Sequence, residues 1–216
     1  ELFFEQLNVR TPDYFLEAGC ETPAQTIAKV IERSDDLFLS VQPDALILYG
    51  DTNSCLSIIP AKRQQIPVFH MEAGNRCFDQ RVPEELNRKI VDHLSDVNLV
   101  LTEHARRYLI AEGLRPETII KTGSHMNEVL DYYMPKINSS DIVEHLNLTL
   151  QKYFLVSIHR EENVDSKDNL LDLLGTFNAL ASTYGFPIVV STHPRTRKRI
   201  ESLSDLNLNP LIRFLK

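Results

Sequence analysis

The chain has 216 residues, 43% of them hydrophobic and 25% charged, with a formal net charge of −7. Such a composition supports a sizeable globular core, while the acidic balance excludes the broad basic footprint of a nucleic-acid binder. No run approaches the roughly 20 apolar residues of a membrane helix, and the unpatterned cysteines at 20, 55 and 77 suit a reducing, cytoplasmic setting better than a disulfide framework.

Glu21-Thr22-Pro23 reads as a helix start, with Thr22 as cap and Pro23 in the first turn of a helix running to about Ser40. Strands are expected at about 44–49, 66–70, 97–101 and 118–121, and helices near 53–64, 83–94, 102–112 and 124–133. The strands are continuous apolar runs, which predicts a parallel sheet buried on both faces. Residues 134–150 have weak periodicity and read as a linker holding a short helix around 140–147. A second set follows: strand 153–158, helix 166–184, strand 187–192, helix 194–204 and strand 211–215. The expected organisation is two incomplete α/β halves, 1–134 without an opening strand and 151–216 cut short, joined by 135–150.

Chemistry gathers where the strands are expected to stop, the usual place for a site in an open α/β sheet. Gly50-Asp51-Thr52 follows the first strand, and Asp51 is either a site carboxylate or a turn aspartate. From His70 to Arg88 come four carboxylates, three arginines and a histidine. Glu72 follows the second strand, beside Ala73-Gly74, where a ligand can approach the backbone. Pro83-Glu84-Glu85 opens a helix whose predicted core stripe is Leu86, Ile90 and Leu94, with Glu84 and Arg88 paired four residues apart on another face. Consecutive strand ends should bring Asp51, Glu72 and Glu84 to one rim, where close carboxylates split into an acid and a base.

In the second half, His159-Arg160-Glu161 holds the equivalent place and can donate to phosphate, or form a polar loop. Ser191-Thr192-His193-Pro194-Arg195-Thr196-Arg197 repeats the pattern, as an anion site or as a helix start with a solvated face. His104, His125 and His145 lack metal-ligand spacing and read as structural, as does His93. Neither a phosphate-binding Gly-x-x-x-x-Gly-Lys loop nor a dinucleotide Gly-x-Gly-x-x-Gly is present. His70-x-Glu72 has half of a zinc deaminase signature without the following Pro-Cys-x-x-Cys, so no metal is expected.

Gly50-Asp51-Thr52, His70-Met71-Glu72-Ala73-Gly74, Pro83-Glu84-Glu85-x-Asn87-Arg88 and His159-Arg160-Glu161, in that order, resemble the non-hydrolysing UDP-N-acetylglucosamine 2-epimerase family. Asn75-Arg76-Cys77-Phe78-Asp79-Gln80-Arg81 resembles its capsule and O-antigen branch, which includes UDP-N-acetyl-L-fucosamine-forming enzymes. The resemblance implies two Rossmann-like halves of the glycosyltransferase-B type, catalytic carboxylates at Asp51, Glu72 and Glu84, UDP contact by His159 and Arg160, and substrate binding by Arg88. It also implies no cofactor, a UDP-sugar substrate as partner, a homodimer at full length, and a longer protein of which this chain is a fragment. The implied reaction inverts C2 of a UDP-N-acetylhexosamine by elimination and re-addition of UDP. A glycosyltransferase of the same fold, a metal-dependent phosphohydrolase and an inactive fragment are the competing readings.

Overall fold

Thr22 opens the first long helix by a reciprocal cap: its hydroxyl accepts from Gln25 N at 3.2 Å, and the Gln25 side chain accepts from Thr22 N at 3.3 Å. Such a cap contributes about 1 kcal/mol. The helix, α1, spans Pro23–Val41 and buries Val30, Ser34 and Phe38, at four-residue spacing. The computed structural model describes residues 4–5, 7–158, 166–192, 194–201, 203 and 207–215, with the backbone alone at 194, 195 and 198. Two units emerge, Glu1–Val129 and Leu130–Lys216.

In the first unit, β1 (Leu46–Tyr49) is followed by a 3-10 turn over Asn53–Ser57 and by α2 (Ile58–Arg63). Then come β2 (Val68–Met71), α3 (Pro83–Leu94), β3 (Val97–Val100), α4 (Glu103–Ala111) and β4 (Ile119–Lys121), and α5 (Met126–Asn138) begins in this unit and ends in the second. The strands form a parallel four-stranded sheet in the order β1-β2-β3-β4. The order is sequential, and crossovers between parallel neighbours are right-handed in nearly all proteins, which sends the intervening helices to one face. That face holds the core of Leu48, Ile58, Ala61, Val68 and Val91, with a second cluster of Val100, Ala105, Leu109 and Ile119. Each of the Val, Leu and Ile side chains contributes roughly 1.5–3 kcal/mol by leaving water. The opposite face is not covered as the apolar runs had suggested: Ile47 is 66% exposed and Ile120 49%. An order without a switch point explains this, because every crossover helix goes to the same side.

Helix α5 continues to Asn138, past its expected end, with Pro135 inside it. The short α6 (Ile142–His145) follows. In the second unit, β5 (Phe154–Ile158), α7 (Lys167–Tyr184), β6 (Ile188–Thr192), α8 (Pro194–Glu201) and β7 (Ile212–Leu215) form a parallel three-stranded sheet with its helices. The stripe Leu170, Leu174, Phe177 and Ala181 on α7 packs against Ile188 and Val190. Both units therefore carry the parallel α/β architecture expected, and each expected strand is present within two residues of its predicted start.

Candidate active site

Strands β1 and β2 pair in parallel with Tyr49 beside Met71, so the turns after them emerge together. Gly50 N donates to Met71 O at 3.1 Å, extending the ladder into the turns. Glu72 there adopts a left-handed φ of 65°, which costs a residue with a Cβ about 1–2 kcal/mol. The result is a carboxylate swung over Gly50, with Glu72 Oε2 3.9 Å from where a Cβ on that glycine would stand. Burial, then the charge and hydrogen bond of Glu72, push the Tyr49 phenol above its usual range. The Tyr49 hydroxyl also meets His125 Nε2 at 3.0 Å. A cavity of about 140 Å³ opens here at the C-terminal strand ends, lined by Tyr49, Glu72, Leu101, Thr122, His125 and Glu128 among others. His125, which sequence spacing marks as structural, thus stands in the cavity wall beside Glu72.

Asp51 is fixed from α3. Its carboxylate accepts from Arg88 Nε at 2.8 Å and its backbone carbonyl from Asn87 Nδ2 at 2.9 Å. Arg88 also donates through Nη1 to Glu85 at 3.1 Å. Burial would loosen the Arg88 proton, but the hydrogen bond and charge of Asp51, reinforced by Glu85, hold it more firmly than usual. The expected Glu84–Arg88 pair is therefore replaced: the guanidinium forks between Asp51 and Glu85. Glu84 is half-buried in the first turn of α3, without an ion-pair partner among the described residues. The structure thus joins Asp51 to Arg88 and sets Glu72 over the turn before Asp51, but shows no contact from Glu84 to either.

The face that α3 buries is also not the one its leucines suggest. Leu86 is 63% exposed and Leu94 39%, whereas Glu85, Asn87, Val91 and Asp92 are buried. The segment after β2 supplies the reason, since the backbone N–H groups it turns toward the helix take polar partners there. Glu85 accepts from the N–H groups of Cys77 and Phe78, each at 3.1 Å. Burial pushes its carboxyl up, but these bonds, the Cys77 thiol and Arg88 hold it below the ordinary range. Asp92 accepts from Gly74 N at 3.2 Å, from Arg76 at 2.7 Å, and meets His70 Nδ1 at 2.8 Å. Gly74 is obligatory: its φ is +77°, and a Cβ would lie 2.7 Å from Ala105 O. Sequence reasoning missed Glu85, Asp92 and Asn87; the polar spacing 85, 88, 92 on one helix face was the available signal.

A larger cavity of about 430 Å³ has Arg88 in its wall, with Gly74, Arg76, Thr102, His104 and Tyr108. His159, Arg160, Glu161 and His193 lie outside the described residues. Arg197 donates to the Leu215 carbonyl at 2.6 Å. Among the described residues, no cluster of three or more His, Cys, Asp or Glu side chains is arranged to hold a metal. Nor is any described helix long and apolar enough to cross a membrane.

The family model for UDP-N-acetylglucosamine 2-epimerase matches residues 1–216. The chain belongs to the UDP-N-acetylglucosamine 2-epimerase family. A solved UDP-N-acetylglucosamine 2-epimerase from Rickettsia bellii is 57% identical, with a TM-score of 0.92 over 100% of this chain and 57% of that one. The Methanocaldococcus jannaschii UDP-GlcNAc 2-epimerase, solved with UDP-GlcNAc and UDP, is 31% identical, with a TM-score of 0.90 over 100% of this chain and 61% of that one. A Pseudomonas aeruginosa relative, UDP-2,3-diacetamido-2,3-dideoxy-D-glucuronate 2-epimerase, is 33% identical over 94% of this chain and 57% of its own length. The chain thus spans between half and two thirds of the length of these epimerase-family relatives.

Proposed function

We propose that the protein containing this chain inverts C2 of a UDP-linked 2-acetamido sugar, by eliminating UDP and adding it back. The observation that carries this reading is the placement of Asp51 and Glu72 at the C-terminal ends of neighbouring parallel strands. The family match over all 216 residues supplies the reaction class. The C2 hydrogen has no adjacent carbonyl, so its removal must be coupled to departure of the C1 oxygen. One carboxylate takes the C2 proton as the C1–O bond breaks; its electron pair leaves with UDP and a C1–C2 double bond forms. UDP oxygen then re-adds at C1, while a carboxylic acid delivers a proton to C2 from the opposite face. Asp51, Glu72 and Glu84 are the carboxyl groups assigned to these steps, since general acid and base groups are needed on both faces of the sugar.

Arg88 is assigned to fixing the Asp51 carboxylate, to which its Nε donates at 2.8 Å, and to holding substrate in place. His159 and Arg160 are assigned to the UDP portion, where hydrogen-bond donors stabilise the departing diphosphate. No cofactor is required by this route. The substrate class is read no more finely than a UDP-N-acetylhexosamine used in cell-surface polysaccharide synthesis. A glucosamine-type or fucosamine-forming enzyme and the diacetamido-uronate specificity of the Pseudomonas relative all share the 2-acetamido group. The reading places the protein in the cytoplasm, as a homodimer at full length. Incubation of the intact protein with UDP-N-acetylglucosamine should yield its C2 epimer without added acceptor or metal. Transfer of the sugar to an acceptor with no epimer formed would replace the proposal with a glycosyltransferase.

A further inference from the structure

We infer that His70 is a positioning residue that holds the Asp51 and Glu72 turns in register by donating from both ring nitrogens. The inference rests on the reading of those two carboxylates given above. The ring is 1% exposed, on β2 two residues before Glu72. Nε2 lies 2.7 Å from the Gly50 carbonyl, the residue before Asp51. A carbonyl can only accept, so Nε2 carries hydrogen. Nδ1 lies 2.8 Å from Asp92 Oδ1. Both Asp92 oxygens already accept from Gly74 N, and Oδ2 accepts from Arg76. Asp92 is thus an acceptor in every other contact, and Nδ1 carries hydrogen as well.

The surrounding charges close around that assignment. Arg76 bridges Asp92 to Glu112, with Nε and Nη2 on the Glu112 carboxylate at 2.8 and 2.7 Å. His93 on α3 meets Glu112 at 3.0 Å from its more exposed side. With hydrogen on both its nitrogens, His70 joins Arg76 in giving each Asp92 oxygen a side-chain donor, Nδ1 to Oδ1 and Arg76 Nη1 to Oδ2. The Gly50 carbonyl also accepts from the Cys55 thiol at 3.6 Å, so the turn is held from β2 and from the 3-10 segment. One imidazole therefore ties the β1 turn to β2 and, through Asp92, to α3 and the Gly74 turn. This is the geometry needed to keep two carboxylates at a fixed separation around a sugar carbon.

The test is nitrogen NMR on the protein labelled with ¹⁵N-histidine, with the His70 signals assigned by their loss in His70→Gln. Two hydrogen-bearing ring nitrogens, both slow to exchange with water, are expected. A ring with one bare nitrogen, or with both hydrogens in rapid exchange, overturns the inference. The second arm compares His70→Ala with His70→Gln, whose side-chain amide can still donate to the Gly50 carbonyl. For the alanine variant, misplacement of the carboxylates is expected to lower kcat by about 10–10²-fold, with KM little changed and kcat partly restored in the glutamine variant. Equal kcat in both variants would contradict a positioning role. If the wild-type protein shows no epimerisation, the proposed function fails, and the nitrogen spectra still decide the state of His70.

Discussion

Arg88 Nε donates to Asp51 Oδ2 at 2.8 Å across 37 residues of sequence, while the same guanidinium reaches Glu85 at 3.1 Å. One cation on α3 thereby fixes both the first strand-end carboxylate and the carboxylate that organises the Cys77–Phe78 turn. The fork has no equivalent in a lysine, whose ammonium cannot present two fixed donors. Arg88→Lys is expected to lose about 1.5–3 kcal/mol of stability, measured by urea denaturation, and to lower turnover with it. An unchanged unfolding midpoint would show that the fork does not constrain the turn.

Glu72→Gln and Glu84→Gln separate chemistry from fold. Each should reduce epimerisation by about 10²–10⁴-fold, with unchanged circular dichroism and UDP affinity. Glu85→Gln should behave differently, because Glu85 is fully buried and accepts from two backbone N–H groups. Breaking a buried ionic arrangement by removing one partner costs about 3–5 kcal/mol, so its main effect is on the unfolding midpoint. Paired loss of activity without loss of stability at position 85 would reverse these assignments.

Gly74→Ala tests how closely the second turn abuts α4. A methyl group there would sit 2.7 Å from Ala105 O, on a backbone at φ +77°. Strain of about 1–3 kcal/mol is expected from the backbone alone, with the clash added to it. Gly113→Ala is the control: its φ of +94° is also positive, but nothing lies within 4 Å. The first variant should therefore unfold at lower urea than the second.

Acid should weaken the fold through two carboxylates. Glu85 is held below its ordinary value of 4.5 by hydrogen bonds that prevail over burial, and Glu112 by the hydrogen bond from Arg76. Their folded values lie below their unfolded ones, so their contribution is complete above pH 4.5 and is lost as pH falls through the folded values. The denaturation midpoint should therefore decline below about pH 4.5. That decline should be shallower in Glu85→Gln.

Much of this arrangement was legible in the sequence. The apolar runs placed the seven strands found among the described residues, and Thr22-Pro23 located the start of α1 to the residue. What periodicity misread in part was α3: of the stripe Leu86, Ile90 and Leu94, Ile90 packs against the core while the two leucines are exposed. A helix backing strand ends must satisfy buried backbone groups, so its inward face carries Glu85 and Asp92 and its leucines turn outward. The Glu84–Arg88 pairing failed for a related reason: local spacing was satisfied at four residues, but the guanidinium instead reaches Asp51, far away in sequence, and Glu85. The roles of His70 and His125 were hidden because each depends on a partner, Asp92 and Tyr49, that spacing along the chain does not reveal.

Epimerisation in deuterium oxide tests the central claim most directly. UDP-N-acetylglucosamine incubated with the intact protein and recovered before equilibrium should carry deuterium at C2 in its epimer, with free UDP appearing as the eliminated intermediate. Inverted product that keeps its original C2 hydrogen would contradict the account.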